Sequence, residues 1–163
     1  MRHIISTLVV NQPGVMVRVA GLFSRRGYNI ESISVGRSED PSLARIIIVV
    51  EAEDDRVVEQ IEKQLYKLID VVKVTDLPVE ESVERELALI KVNASSQTRS
   101  EIMQIVDIFR AKIVDVGSRA LIIELTGSSA KIEAFISLLK TYGIREIVRT
   151  GQIAMQRTQR KEK

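Results

Sequence analysis

The sequence contains no cysteine and no tryptophan, and only one histidine among its 163 residues. The lack of cysteine excludes disulfide bonds and thiolate chemistry, and it agrees with a reducing compartment. Aromatic residues make up only 4% of the chain, so few rings are available to stack on bases. The longest apolar run, at residues 46–50, is too short to span a membrane. Because no signal-peptide pattern precedes the first predicted strand, we expect a cytoplasmic protein.

An excess of charge of either sign is also missing. The chain has 24 basic and 22 acidic residues and a formal net charge of +2, which gives no electrostatic case for binding nucleic acid or a membrane surface. Hydrophobic residues are plentiful, at 45%, and they are mainly Ile, Val and Leu, which favour strands. A chain of this length forms one ordinary domain or two small ones.

The order of predicted elements repeats in the two halves of the chain. Apolar, β-branched segments predict eight strands, and four stripes at helical spacing predict amphipathic helices. The strands are expected at residues 4–10, 30–35, 43–51, 71–77, 87–94, 112–117, 119–126 and 144–149. Each half therefore has the order β-α-β-β-α-β. We predict an α+β protein of two ferredoxin-like domains, each an antiparallel sheet with both helices on one face.

The predicted domain limits follow from composition. The first domain covers residues 1–77, an acidic linker covers residues 78–84, the second domain covers residues 85–150, and a basic tail covers residues 151–163. In the second domain, Thr98 and Glu101 have the spacing of a capping box. Each sheet leaves one face and two strand edges uncovered, so we expect a homodimer joined edge to edge through the first domains.

The most informative stretch is the turn at residues 11–14, Asn-Gln-Pro-Gly, just before the first predicted helix. Pro13 suits this position because its ring fixes φ, and Gly14 has no side chain to keep a ligand away from the backbone. The first N–H groups of a helix are free and carry partial positive charge, so the turn is suited to bind an anion such as a carboxylate. Asn11, taken alone, would equally serve as an ordinary turn residue.

Several segments carry a family resemblance. NQPGVMVRVAGLFSRRGYNIESISVG and SEDPSLARIIIVV resemble the first ACT domain of the regulatory, or small, subunits of acetohydroxyacid synthase, also called acetolactate synthase. VERELALIKV, EIMQIVDIFRAKIVDVGS and LIIELTGSSAKIEAFISLLKTYGIREIVRTGQIAM resemble the carboxyl-terminal part of the same subunits. The resemblance covers essentially the whole chain. The departures are small: Met16 and Val17 stand where the family more often has Leu and a variable residue.

The resemblance implies a subunit without catalytic residues. Such a subunit binds and activates the large catalytic subunit in branched-chain amino acid biosynthesis and transmits feedback inhibition by valine. Thiamine diphosphate, FAD and magnesium belong to that catalytic partner, so no cofactor and no metal are expected on this chain. Valine is expected between the first domains of two chains, next to Asn11, Pro13, Gly14, Val15, Met16, Asn29 and Ile30.

These residues offer the groups that a free aliphatic α-amino acid needs. Backbone N–H groups at Gly14 and Val15 can bind a carboxylate, and the oxygens of the two asparagines can accept from an ammonium group. The neighbouring apolar residues can enclose a small side chain. At the equivalent place the second half has residues 94–97, Ala-Ser-Ser-Gln, with neither proline nor glycine. We therefore expect the ligand only at the first domains.

The sequence offers no constellation for catalysis. His3 has neither a cysteine partner nor an acid close to it in the chain, so we interpret it as an exposed residue at the start of the first strand. The acidic clusters lack the spacing and the glycine of a calcium loop, and no glycine-rich phosphate motif is present. Arg18, Arg25 and Arg26 are interpreted as solvated.

Three alternative functions share part of this pattern. RNA-recognition domains share the order of elements, but they need aromatic residues on the central strands, and LARIIIVVE and RALIIELTG have none. A small ferredoxin-like enzyme would need an acid/base pair that the sequence does not offer. A free-standing amino-acid sensor that controls another enzyme or a transporter stays open on pattern alone, and only the resemblance of the second half favours the synthase.

Overall fold

The structure, a computed structural model, describes residues 1–158. This part of the chain forms two compact units, one made of residues 1–83 with those from 152 onward, the other of residues 84–151. Each unit has an antiparallel sheet and two helices, as an α+β protein with two ferredoxin-like domains requires. None of the described helices is long and apolar enough to cross a membrane.

The first unit has the predicted β-α-β-β-α-β order. Its elements are β1 (Arg2–Val10), α1 (Val15–Arg26), β2 (Ile30–Arg37), β3 (Leu43–Glu51), α2 (Asp55–Leu65) and β4 (Val71–Leu77). The strand order is β2-β3-β1-β4. Because β1 and β2 both run antiparallel to β3, they are parallel to each other and α1 is their crossover. Val9 and Arg37 both pair with Ala44, so α1 begins at the end of the sheet where β2 finishes.

The core of the first unit lies between the sheet and its two helices. Alternate residues of β1 and β3 face the helices, and α1 adds the predicted stripe of buried side chains. That stripe consists of Val15, Val19, Leu22 and Phe23. Asp54 caps α2, since its carboxylate accepts a hydrogen bond from the Val57 N–H at 3.1 Å.

The second unit repeats this plan. Its elements are β5 (Ser82–Asn93), α3 (Arg99–Ile108), β6 (Lys112–Val116), β7 (Ala120–Gly127), α4 (Ser129–Leu139) and β8 (Ile144–Arg149). The strand order is β6-β7-β5-β8. Ser128 caps α4, but the predicted capping box of α3 does not form. Instead the Ser95 and Thr98 hydroxyls each accept from the other residue's N–H, and Glu101 accepts from the Tyr142 hydroxyl at 3.0 Å.

The segment predicted as a linker, residues 78–84, is ordered. It holds a short 3-10 helix, Val79–Glu81, and then the start of β5, which begins five residues before the predicted residue 87. The first residues of β5 include several charged side chains, so they do not show the hydrophobic pattern from which a strand is predicted. Glu86 is only 4% exposed because the Arg149 guanidinium binds both of its carboxylate oxygens, at 2.7 and 2.8 Å.

The predicted tail also contains structure. A ninth strand, β9 (Ile153–Gln156), pairs with β5, and the Arg157 N–H donates to the Glu81 carbonyl at 2.7 Å. Ala154 packs on the face of the first sheet that points away from the helices. There it contacts a small cluster formed by Ile4, Ile47, Val49 and Leu77. The last five residues of the predicted tail lie outside the described residues.

Candidate functional site

The turn before α1 is held against the loop between β2 and β3. The Asn11 N–H donates to the Ser42 carbonyl at 2.8 Å, and the Asn11 Nδ2 donates to the Pro41 carbonyl at 3.2 Å. Because a carbonyl can only accept, the orientation of this side-chain amide is determined, and its Oδ1 is the atom left to accept from a ligand. Asn11 and Pro13 are both exposed, so the turn faces solvent in one chain.

Gly14 forms the N-cap of α1 in a left-handed conformation, with φ 85° and ψ −11°. A side chain is disfavoured there, which explains the glycine. In the described part of the chain no side chain caps α1, and the first turn of this helix has no acidic residue. Each of the other three described α-helices has either a capping side chain or an acid in its first turn. Residues 1–158 thus place no anion of their own at the positive end of the α1 dipole.

The apolar residues predicted for the site differ in what they can offer. Val15 is 4% exposed and its side chain belongs to the core, so only its backbone N–H remains for a ligand. Met16 and Ile30 are half-buried and pack against the same core. They keep some surface with which a small side chain could make contact.

Asn29 and Ile30 lie at the opposite end of α1 from the turn. The helix has 12 residues and is therefore about 18 Å long. That distance is far more than a single amino acid can bridge. One chain therefore cannot bring Gly14 and Asn29 onto the same small ligand, and it holds two separate halves of the predicted site.

Arg18 is not simply solvated as predicted. Its Nε donates to the Asp70 carboxylate at 2.6 Å, and its Nη1 lies 3.2 Å from the point where a Cβ on Gly14 would be. Asp70 is 8% exposed, and its carbonyl accepts from the Val10 N–H at 2.9 Å. Helical side chains lean toward the N-terminus, so the spacing of four residues between Gly14 and Arg18 was the available signal.

The interpretation of His3 as an exposed residue without an acid partner is wrong. Its side chain is 14% exposed and lies 3.8 Å from Asp55 and 3.9 Å from Asp76. Both acids are far from it in sequence, and folding brings them together. Burial raises the pKa of Asp76, and burial with the nearby Asp76 charge raises the pKa of Glu62. Among the described residues, no group of three His, Cys, Asp or Glu side chains could hold a metal ion.

The second unit provides an internal comparison for the turn. Asn11 and Ala94 occupy equivalent positions, since each N–H donates to the carbonyl of the residue just before the third strand of its unit. These acceptors are Ser42 and Arg119. Gly27 and Arg110 likewise both end their helices with positive φ. Asn11 and Gly27 are as far apart in the sequence as Ala94 and Arg110. Gln97 therefore occupies the place of Gly14, and Glu101 occupies the place of Arg18. The second unit thus lacks both the glycine and the cation.

Comparison with known proteins identifies relatives along the chain. Residues 5–73 match the family described as "AHAS small subunit-like ACT domain", and residues 85–158 match "Small subunit of acetolactate synthase". A probable acetolactate synthase small subunit of Methanothermobacter thermautotrophicus is 57% identical over 159 residues, or 97% of this chain and 94% of that protein. The acetolactate synthase small subunit of Bacillus subtilis is 52% identical, over 99% of this chain and 94% of that protein.

A solved structure agrees with these sequence matches. The crystal structure of the acetolactate synthase small subunit from Thermotoga maritima superposes with a TM-score of 0.90 at 53% identity. The superposition covers 98% of this chain and 99% of that chain.

Proposed function

Because the chain belongs to the family of acetolactate synthase small subunits, we propose that it confers valine feedback inhibition on an acetolactate synthase. In this proposal it binds and activates a catalytic subunit, which holds the thiamine diphosphate, FAD and magnesium. This chain contributes the effector site and no catalytic residue. The observation that carries the proposal is the turn of α1, with its left-handed Gly14 and uncapped N–H groups.

A homodimer would complete the site. Within residues 1–158, β2 pairs only with β3 and so forms one edge of the first sheet. An exposed edge is a template for pairing with another strand, and a two-fold axis would place two β2 strands antiparallel. The beginning of one β2 would then lie beside the end of the other.

That arrangement would join the two separated halves of the site. Asn29 immediately precedes β2, while the turn of α1 lies at the end of the sheet where β2 finishes. Antiparallel pairing of the β2 strands therefore brings the Gly14 turn of one chain toward the partner subunit's Asn29. A two-fold axis creates this combination twice, so we expect two equivalent sites per dimer.

The chemistry of the combined site fits a small zwitterion. The free N–H groups at Gly14 and Val15 bind the carboxylate, and the Asn11 Oδ1 with the partner subunit's Asn29 accepts from the ammonium group. Met16 and the partner subunit's Ile30 contact the branched side chain. Because the ligand binds both chains, it favours one dimer geometry over another, and that difference in affinity is what can change the catalytic subunit.

Substitutions at the two halves test the proposal. Gly14→Asp places a carboxylate where the ligand carboxylate binds, and Asn29→His removes the amide. Aspartate tolerates positive φ better than most residues, and its Cβ would meet only the flexible end of Arg18, so the fold should survive. Each variant should give an active synthase complex that valine no longer inhibits. Gln97→Asp, at the equivalent place in the second unit, is the matched control and should keep normal inhibition.

A mixed dimer tests whether the site lies between chains. In a dimer of one Gly14→Asp chain and one Asn29→His chain, one site carries both changes and the other carries neither. Co-purification through two different tags followed by calorimetry should then detect one valine site per dimer, although each parent dimer binds none. If the mixed dimer also binds no valine, a site shared between two chains is excluded. Normal inhibition in the Gly14→Asp complex would contradict the proposed location altogether.

A further inference from the structure

We propose that Arg18 recognises the carboxylate of the effector and that Asp70 positions its guanidinium for this task. The inference rests on the proposed function, because it concerns the same site. It adds a charged residue to a site that was otherwise composed of backbone N–H groups and amides. Arg18 would make the site selective for a free carboxylate.

The position of the guanidinium carries the inference. Its Nε donates to the Asp70 carboxylate at 2.6 Å, and Nη2 lies 4.0 Å from where a Cβ on Gly14 would be. Nη1 lies 3.2 Å from where a Cβ on Gly14 would be, next to the uncapped end of α1. A planar guanidinium with two free N–H groups can bind a carboxylate through both oxygens. Backbone N–H groups and a full positive charge thus meet at one place.

This position is unfavourable for the empty protein. The N-terminus of a helix already carries partial positive charge, and a cation in the first turns is repelled by it. Asp70 offsets part of that repulsion, and among residues 1–158 it is the one carboxylate that forms a salt bridge with Arg18. A bound carboxylate would remove the remaining repulsion, so Arg18 is in a more favourable electrostatic environment with an anion bound than without one.

The second unit shows the opposite arrangement at the equivalent place. Glu101 stands where Arg18 stands in the first unit, and it accepts a hydrogen bond from Tyr142. A carboxylate of the chain itself therefore lies in the first turn of α3, and a ligand carboxylate would be repelled there. The same fold thus has a cation at one turn and an anion at the other.

Two hydrogen bonds made by Asp70 predict the role of this residue. Its carbonyl accepts from Val10, the residue before the turn, and its carboxylate accepts from Arg18. It thus fixes the guanidinium relative to the turn, but its charge also competes with the ligand for Arg18. Removing the charge while keeping a hydrogen-bond acceptor should therefore leave the affinity for valine unchanged or increase it.

Opposite effects of substitution at the two residues test the inference in the full chain. Calorimetry with L-valine should show at least a ten-fold weaker affinity for Arg18→Gln than for the wild type. Asp70→Asn should bind as tightly as the wild type or more tightly. Arg99→Gln is the matched control, since Arg99 also lies in the first turn of a helix, α3, but in the second unit, where no ligand is expected. It should change the affinity by less than two-fold.

A double variant separates a ligand contact from a structural role. Arg18→Gln alone leaves the Asp70 charge buried without its partner, which could weaken binding by distorting the turn. Arg18→Gln combined with Asp70→Asn removes both charges. If Arg18 contacts the ligand, the double variant should bind valine as weakly as Arg18→Gln.

The outcomes that overturn the inference are distinct from failure of the proposed function. An affinity of Arg18→Gln within two-fold of the wild type, equal losses in Arg18→Gln and Asp70→Asn, or recovery of affinity in the double variant would each show that Arg18 does not bind the carboxylate. In all three cases the wild type still binds valine. Absence of valine binding by the wild type would instead remove the proposed function and the inference with it.

Discussion

At the scale of single residues, Gly21 and Gly27 show how one residue type serves two different purposes. Gly27 ends α1 with φ 70°, and its N–H donates to the Ser24 carbonyl at 3.2 Å. This left-handed conformation is costly for any other L-residue. Gly21 lies inside α1, where glycine has ordinary helical geometry and only weakens the helix. The backbone thus favours glycine at the first position but not at the second, although Arg110 adopts a positive φ at the place equivalent to Gly27 in the second unit.

Alanine substitution at these two glycines should have opposite effects on stability. Gly27→Ala should lower the free energy of unfolding by about 1 kcal/mol, because it strains the left-handed position without any clash. Gly21→Ala should raise it by about 0.5–1 kcal/mol through better helix propensity, since the new Cβ meets only the end of the Arg25 side chain. Urea unfolding measures both. Equal effects of the two substitutions would mean that φ is not what distinguishes these positions.

At the scale of elements, the packing of α2 against β4 buries carboxylates that a sequence pattern cannot pair. Burial raises the pKa of Glu62 above its ordinary value of 4.5, and the charge of Asp76 adds to the effect. On the same helix, the Lys63 ammonium donates to Glu59 at 2.7 Å and lowers the pKa of that residue. The pKa values of two glutamates one turn apart are therefore shifted in opposite directions.

These shifts determine the sign of two pH effects. A raised pKa means that the folded state holds the Glu62 proton more tightly than the unfolded state, so stability falls as pH rises through and above the ordinary value. Glu62→Gln should therefore become more stable relative to the wild type between about pH 4 and pH 7. Glu59→Gln should become less stable over the same range, because the Lys63 interaction stabilises only the charged form. Urea unfolding at both pH values measures the two trends. The same pH trend in both variants would contradict the environments assigned to Glu62 and Glu59.

At the scale of the whole molecule, the end of the described chain completes the first unit. β9 follows the last strand of the second unit in sequence, yet it belongs with residues 1–83. Ala154 packs against Ile4, Ile47, Val49 and Leu77, which are buried on the open face of the first sheet. A ferredoxin-like sheet with helices on one face needs such a cover.

Two neighbouring residues of β9 should tolerate a charge very differently. Ala154→Asp places a carboxylate against the apolar cluster without a partner and should cost about 2 kcal/mol or more of unfolding free energy. Met155 is 75% exposed on the same strand, so Met155→Asp should change stability by no more than about 0.5 kcal/mol. Thermal unfolding of both variants compares the two faces of β9. A loss in Met155→Asp as large as in Ala154→Asp would mean that β9 does not lie on the sheet by its Ala154 face.

The accuracy of the sequence predictions varied with how local the relevant interaction is. The strands and helices of both units and the glycine turn before α1 were predicted from the sequence, because neighbours in sequence decide these features. The start of β5 was missed because its charged residues do not alternate with apolar ones, and Glu86 is buried only through its bond to Arg149. His3 was misjudged for a similar reason, since its acids come from α2 and β4.

The sequence by itself determined the family, the two β-α-β-β-α-β units and the glycine turn, because these depend on the order of residues and on local backbone preferences. Only the tertiary structure decided that Asp70 binds Arg18 beside Gly14, that Ala154 of β9 packs on the first sheet, and that Gly14 and Asn29 lie at opposite ends of α1. The physical reason is that such contacts join residues far apart in the chain, and their geometry exists only once the sheets have formed and the helices have packed on them.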